Sequence, residues 1–468
     1  MTVRSRFARR LLATALTLGI AVTGVTVTGG ISTASAQSLE EALAQAYANN
    51  PALGAQRARQ RAVDESVPQA LSGYRPTVRA TAGVTRSGGN STFNGGETGS
   101  EATSKSVGIQ ATQPLYDATV GPAVRRAERT VEAQRATLLS NEQQILLNAA
   151  QAYLDVVQNQ AVLELQANNE QVLRRQLDAA RDRFRVGEYT RTDVSQSESR
   201  LAASIASRIS AEGTLQASRA TYERIVGSMP GKLKAPKPRF KLPATLDEAV
   251  EMARSNNPLV LAATYTEAAQ REAVDQQFGR LLPSANLSAQ GTRNYDPGRS
   301  QGVEIKRSDN AQLTAQLTIP LYQAGLPEAL TREAKHTANQ ARLQIEDNRR
   351  QAVETAISAW QALQTARASI ESYQSQINAA QIALEGVRQE AQVGSRTVLD
   401  VLNQEQELLN ARVNLVRAQR NEMVSAFNVL AAVGQLTAQQ MNLPVQYYDP
   451  EPHYREVRGK WTGTGVPE

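Results

Sequence analysis

The sequence predicts a mainly α-helical chain with a small β component, organised as two internal repeats that each run helix, strand, strand, long helical hairpin. Three observations predict it. Motifs recur at a constant offset of 207 residues. Long tracts rich in Ala, Gln, Arg, Leu, Val and Glu carry heptads, while aromatic residues are only 4% of the chain. Four short stretches alternate apolar and polar residues with the period of a strand.

The offset is the firmest of these. Leu39, Glu41, Ala42 and Asn49-Asn50-Pro51 match Leu246, Glu248, Ala249 and Asn256-Asn257-Pro258. Pro76 matches Pro283, Gly187 matches Gly394, Asp193 matches Asp400 and Gly227 matches Gly434. Pro114-Leu115-Tyr116 returns as Pro320-Leu321-Tyr322 with a slip of one residue, as a change in loop length would produce. The chain therefore divides into a leader over 1–36, a first repeat over 37–228, a Pro/Lys-rich connector over 229–244, a second repeat over 245–441 and a polar tail over 442–468.

In order along the chain, the leader has Arg4, Arg6, Arg9 and Arg10, an apolar run from Leu11 to about Val27, and Ala34-Ser35-Ala36 as a cleavage site. That is the layout of a secretory signal peptide. The first repeat opens with Ser38 as a cap, Glu40 and Glu41 in the first turn, and an apolar side of Leu39, Ala42, Leu43 and Ala46. Asn49-Asn50-Pro51 interrupts it and a second helix follows to about Leu71. Val78, Ala80, Ala82 and Val84 then alternate with Thr77, Arg79, Thr81 and Thr85, a strand. Ser87 to Thr103, rich in Gly, Ser, Asn and Thr, reads as a flexible loop. A second strand carries Val107, Ile109 and Ala111. The tract from Gly121-Pro122 to Gly187 holds roughly 64 residues, about 100 Å as a helix. A return arm runs from about Thr192 to Gly227.

The second repeat follows the same order. Ala285, Leu287 and Ala289 mark its first strand, and Ala311, Leu313, Ala315, Leu317 and Ile319 its second. Leu363, Ile370, Ile377 and Leu384 stand seven apart, as do Ala366, Tyr373, Ala380 and Val387, which makes an a/d seam. The tail, with Pro444, Asp449-Pro450 and Pro452, reads as loop or disorder.

Composition removes several function classes. With no cysteine and only His336 and His453, disulfides, thiol catalysis, a lipidated N-terminal cysteine and a histidine-rich metal site are excluded, and no cofactor is expected. No nucleophile–base–acid constellation or phosphate loop points to an enzyme. The net charge of +6 falls to +2 without the four arginines of the leader, so nucleic-acid binding has little support. After the leader, no apolar run is long enough for a membrane-spanning helix.

The strands are long enough to cross a bilayer as β structure, with one apolar and one polar face. Four strands cannot close a barrel, and open edges are not tolerated in lipid. Several copies must share one barrel, and three would give twelve strands.

Between the arms of each hairpin lies a short turn. Val186-Gly187-Glu188-Tyr189-Thr190-Arg191-Thr192-Asp193-Val194 is echoed by Val393-Gly394-Ser395-Arg396-Thr397-Val398-Leu399-Asp400-Val401. Glycine suits the helix C-terminus and Thr or Asp caps the next helix. The leader without a lipid cysteine, the Asn-Asn-Pro repeats, the Pro-Leu-Tyr strand ends and the second tip motif through Leu402 together resemble the TolC family of outer-membrane efflux and secretion channels, from about Ser38 to Leu443. The resemblance implies a homotrimer in outer-membrane lipid, with a twelve-stranded barrel on an α-helical periplasmic tunnel. It also implies a periplasmic adaptor and an inner-membrane transporter as partners, in efflux, type I protein secretion or both. The absent lipid cysteine favours the branch that serves both. By motif position, Arg396 resembles the gate arginine and Asp193 the acid it pairs with. Asp400 resembles a member of an aspartate ring at the periplasmic entrance. Val186, Gly187, Val393 and Gly394 fall at adaptor-contact positions.

A soluble periplasmic coiled-coil structural or adaptor protein is the competing reading. An adaptor has one hairpin flanked by β-rich halves, not two hairpins each preceded by a strand pair, and a structural coiled coil leaves the leader and strands unexplained. Two residues depart from the family pattern: Asn403 stands where a second aspartate is common, and Ala391 where a gate tyrosine is common. A ring of three carboxylates instead of six is expected to bind multivalent cations more weakly. Single-channel conductance in planar bilayers checks this: weak block is expected, and block as tight as in a double-ring channel would contradict it.

Overall fold

The computed structural model describes residues 37–93, 96–231, 233–236, 241–300 and 303–466; the leader expected over 1–36 lies outside them. The first repeat contains α1 (Leu39–Asn49), α2 (Pro51–Asp64), α3 (Ser66–Leu71), a 3-10 turn (Ser72–Tyr74), β1 (Thr77–Phe93), β2 (Gly96–Asp117), α4 (Val120–Arg185) and α5 (Arg191–Val226). The second contains α6 (Leu246–Asn256), α7 (Pro258–Gly279), β3 (Ser284–Ser300), β4 (Val303–Thr318), α8 (Leu326–Gln392) and α9 (Val398–Ala432). A last helix, α10 (Glu451–Arg458), follows the repeats.

The Asn-Asn-Pro motifs are helix junctions. Asn50 Oδ1 accepts from the Ala52 amide at 2.9 Å and caps α2, while its Nδ2 donates to the Ile225 carbonyl at 2.9 Å, near the end of α5. Asn257 repeats both bonds, to the Leu259 amide at 2.9 Å and the Ala432 carbonyl at 3.1 Å. One side chain thus satisfies an orphan donor of one helix and an orphan acceptor of another. Proline at the next position costs nothing, because its missing N–H would be unpaired there. The helices α5 and α9 close just beyond, at Gly227 with φ of 91° and Gly434 with φ of 79°.

The main core forms where these junctions meet. Leu43, Ala46 and Tyr47 of α1 pack on Leu146, Ala150 and Tyr153 of α4, Tyr222 and Val226 of α5, and Phe427 and Leu430 of α9. Downstream of α9, the Ala438 amide donates to the buried Glu142 at 2.7 Å and ties the following segment to α4. Burial pushes the Glu142 carboxyl up, against that hydrogen bond.

The heptad seam appears between α8 and α9. Leu363 packs with Ala426 and Val429, and Ile377 and Leu384 pack with Leu408 and Ala411. Seven-residue spacing keeps one stripe facing the partner over the whole length. With 66 and 67 residues, α4 and α8 each extend on the order of 100 Å.

The four strands form one antiparallel sheet in the order β1-β2-β3-β4. Here two readings are corrected. The Gly/Ser-rich stretch from Ser87 to Thr103 is not a flexible loop: β1 and β2 stay paired from Thr77↔Thr112 to Phe93↔Gly96. Main-chain ladder bonds and a cross-strand pair between Arg86 and Glu101 at 2.7 Å hold a segment that lacks an apolar face. The tail is not loop or disorder throughout, because α10 forms within it. Pro452 suits its first turn, and Val457 is buried while Tyr454 packs against the cluster of Val67, Ala127 and Val131. The Pro-Leu-Tyr echoes also differ. Pro114 and Tyr116 lie in β2 around a register shift, whereas Pro320 lies beyond β4.

The two glycines after α5 and α9 differ in what a side chain would meet. A Cβ on Gly434 would overlap the Asn256 carbonyl oxygen, whereas on Gly227 its nearest neighbour is the Asn49 Cβ at 3.7 Å. Both sites carry the positive-φ cost of about 1 kcal/mol. Gly434→Ala is therefore expected to lower the thermal midpoint clearly more than Gly227→Ala; equal shifts would contradict this packing.

Candidate functional site

The two hairpin tips are built alike. α4 ends in a Schellman pattern, with the Glu188 amide donating to the Arg183 carbonyl at 2.9 Å and the Gly187 amide to that of Phe184 at 3.0 Å. α8 ends the same way, from the Ser395 amide to the Glu390 carbonyl at 2.9 Å and from Gly394 to Ala391 at 3.2 Å. The chain reverses at Gly187 and Gly394, whose φ values of 84° and 81° require the left-handed region. Val186 and Val393, just before them, are exposed.

The sequence expectation that a Thr or Asp caps the returning helix is met at both tips, and both residues take part. Thr190 Oγ1 accepts from the Asp193 amide at 3.3 Å, while Asp193 Oδ2 accepts from the Thr190 amide at 2.9 Å and its hydroxyl at 2.7 Å. Thr397 and Asp400 repeat the box with 3.2, 3.0 and 2.8 Å. The Thr397 amide and hydroxyl, followed by the charge of Arg396, hold the Asp400 carboxyl below the usual carboxylate range. Its contribution to the cap is therefore present above the ordinary value of 3.8 and is lost only as pH falls through the lowered one.

Arg396 is not on Asp193 within the chain. Its Nε donates to Glu390 Oε2 at 2.9 Å, across its own turn, and Asp400 adds attraction from the other side. Asn403, at the position where a second aspartate is common, accepts from Arg200 Nη2 of α5 at 2.6 Å and so links the two hairpins.

A second link was not singled out in the sequence. Arg181–Glu198 at 2.7 Å and Arg388–Glu405 at 2.8 Å are the same ion pair at the same offset of 207. In the first hairpin it is exposed; in the second, Glu405 is only 6% exposed and also accepts from Gln176 of α4. Its other oxygen has no partner among the described residues. The available signal was an acid on the apolar stripe of α9, three residues after Leu402 and four before Leu409. These contacts make the tip a place where a few polar bonds, without an extended apolar core, set the distance between hairpins. Among the described residues, no group of His, Cys, Asp and Glu is arranged to hold a metal ion.

The capping box is testable directly. Thr397→Ala removes one N-cap and should raise amide exchange across 393–402 by about five-fold at neutral pH. Unchanged exchange there, read by mass spectrometry, would contradict the role given to Thr397.

Comparison with known proteins covers both repeats. The profile of the outer membrane efflux protein family matches residues 42–228 and 249–435, one segment in each repeat. The chain is 35% identical over 453 residues to the outer membrane efflux protein BepC of Brucella suis, covering 96% of both chains. It is 27% identical over 429 residues to the outer membrane protein TolC of Escherichia coli K12, covering 89% of this chain and 86% of the relative. The solved structure of VceC from Vibrio cholerae superposes with a TM-score of 0.71 at 20% identity, over 85% of this chain and 96% of that one. With both repeats matched and nearly its whole length shared with such a relative, the chain belongs to the outer membrane efflux protein family, as an outer-membrane export channel and not an enzyme.

Proposed function

We propose that three copies of this chain close a twelve-stranded barrel and continue as a helical duct, through which an inner-membrane transporter discharges across periplasm and outer membrane. The observation that carries the reading is the four-stranded sheet. Its order leaves β1 and β4 as edges, and its apolar residues, such as Val78, Val107, Leu313 and Leu317, are exposed. In lipid the exposed apolar residues are favourable, but the bare edges are not. Pairing β4 of one copy with β1 of the next removes both edges. BepC is named an outer membrane efflux protein, and the same role is proposed here.

The tips are proposed as the gate and docking end. Val186, Gly187, Val393 and Gly394 present exposed, nearly featureless turns that a periplasmic adaptor's helices can cover. Asp193 and Asp400 keep one carboxylate oxygen outside their capping boxes, and three copies would place these charges around the entrance. Arg396, exposed and held by Glu390, is proposed to form the latch by reaching Asp193 of the adjacent copy. Exposed pairs of this kind are individually weak, so an adaptor can displace them.

Purification in detergent, mass determination and single-channel recording test this together. A trimer with a small closed-state conductance, raised several-fold in Arg396→Ser, is expected. A monomer without conductance would remove the channel reading, and a trimer whose conductance ignores Arg396→Ser would remove the latch.

A further inference from the structure

The chain beyond the second repeat climbs to the base of the sheet. His453 Nδ1 lies 3.0 Å from the buried Asp64, Arg458 donates to Glu128 at 2.8 Å, and Arg75 Nη1 donates to the Lys460 carbonyl at 2.7 Å. Partners 64 and 75 are met by 453 and 460, so α10 runs in the same direction as α2 and α3, toward the start of β1 at Thr77. The buried Val457 and the packing of Tyr454 fix this course. At its end the Trp461 ring stacks against the Arg75 guanidinium, 4.8 Å from the ring centre, yet stays 66% exposed. Tyr74, beside Arg75, is 51% exposed. Arg75 and the Lys460 ammonium each donate to a main-chain carbonyl, that of Lys460 and that of Gly465, and neither forms an ion pair with a carboxylate among the described residues.

An exposed indole and phenol flanked by two unneutralised cations sit next to the first residues of a bilayer-spanning strand. Water gives the rings nothing for their apolar surface, whereas the bilayer interface takes an amphipathic ring and a cation at the same depth. We propose that this end of the tail is a lipid anchor: Trp461 and Tyr74 seat in the phospholipid of the periplasmic leaflet, with Arg75 and Lys460 on its phosphates. The inference rests on β1–β4 spanning the outer membrane. It adds a contact outside the barrel, made by a segment that neither repeat contains. Its consequence is a channel held at fixed depth by its C-terminal strap as well as by its strands.

The chain has two tryptophans, and Trp360 packs in the α8–α9 seam beside Leu363 and Val429. Trp360→Phe therefore leaves Trp461 as the sole reporter. The full-length channel is reconstituted into phosphatidylethanolamine/phosphatidylglycerol vesicles carrying phospholipid brominated near the glycerol end of the acyl chain, and insertion is scored separately by flotation. About a two-fold loss of Trp461 emission to bromine, with protection from aqueous iodide, is expected for an interfacial ring. Floating protein whose Trp461 is quenched by iodide alone, or by neither agent because another copy covers it, overturns the anchor and leaves the channel reading standing. Protein that does not float overturns the membrane reading itself. If Trp360→Phe fails to fold, the difference between native protein and Trp461→Phe gives the same measurement.

Discussion

The structure depends on one constraint: every backbone N–H and C=O within a bilayer needs a partner. A sheet of four strands satisfies its interior ladders and leaves the outer sides of β1 and β4 bare. Water would satisfy those groups in a soluble protein, but lipid cannot, and each unpaired group there costs several kcal/mol. A repeat that yields two strands per unit, duplicated once, gives a chain that is necessarily incomplete in a membrane. The proposed closure by identical copies would answer that incompleteness, and it would carry the long hairpins, rooted beside the strands, into the same symmetry.

Below the sheet the duplication is nearly literal. Asn50 and Asn257 each close one helix and open another, and Thr190–Asp193 and Thr397–Asp400 cap the returning arms in the same way. The departures lie where the two hairpins meet. The Arg181–Glu198 pair faces solvent, while its equivalent Arg388–Glu405 is drawn against Gln176 of the first hairpin. Together with Arg200–Asn403, it sets the second hairpin against the first by polar contacts. The duplicated scaffold therefore carries unequal surfaces where its two hairpins meet.

Much of this was legible in the sequence because its signals are long. An offset sustained over two halves and a seam running from Leu363 to Leu384 leave few alternatives. The outer halves of β1 and β2 were hidden because Ser87 to Thr103 carries Gly, Ser and Thr without an apolar face; neighbouring strands hold it, and a single strand's composition says nothing of its neighbours. α10 was hidden because Tyr454 and Val457 are its only inward apolar residues, too few for a period. At the tip, the capping roles of Thr and Asp could be read locally. The pairing of Arg396 with Glu390 and the burial of Glu405 depend on tertiary placement, and Glu405 showed only as an acid on an apolar stripe.

The central claim is that β4 of one copy pairs with β1 of the next. The chain has no cysteine, so introduced ones report without interference. A panel of double variants, with Thr81→Cys on β1 combined in turn with Ala311→Cys, Leu313→Cys and Ala315→Cys on β4, would be oxidised in outer membranes and run on denaturing gels. The account predicts a covalent trimer for the one or two combinations in register and no trimer for the single variants. Cross-linked species that never exceed one chain, in a panel where every variant is inserted, would contradict it.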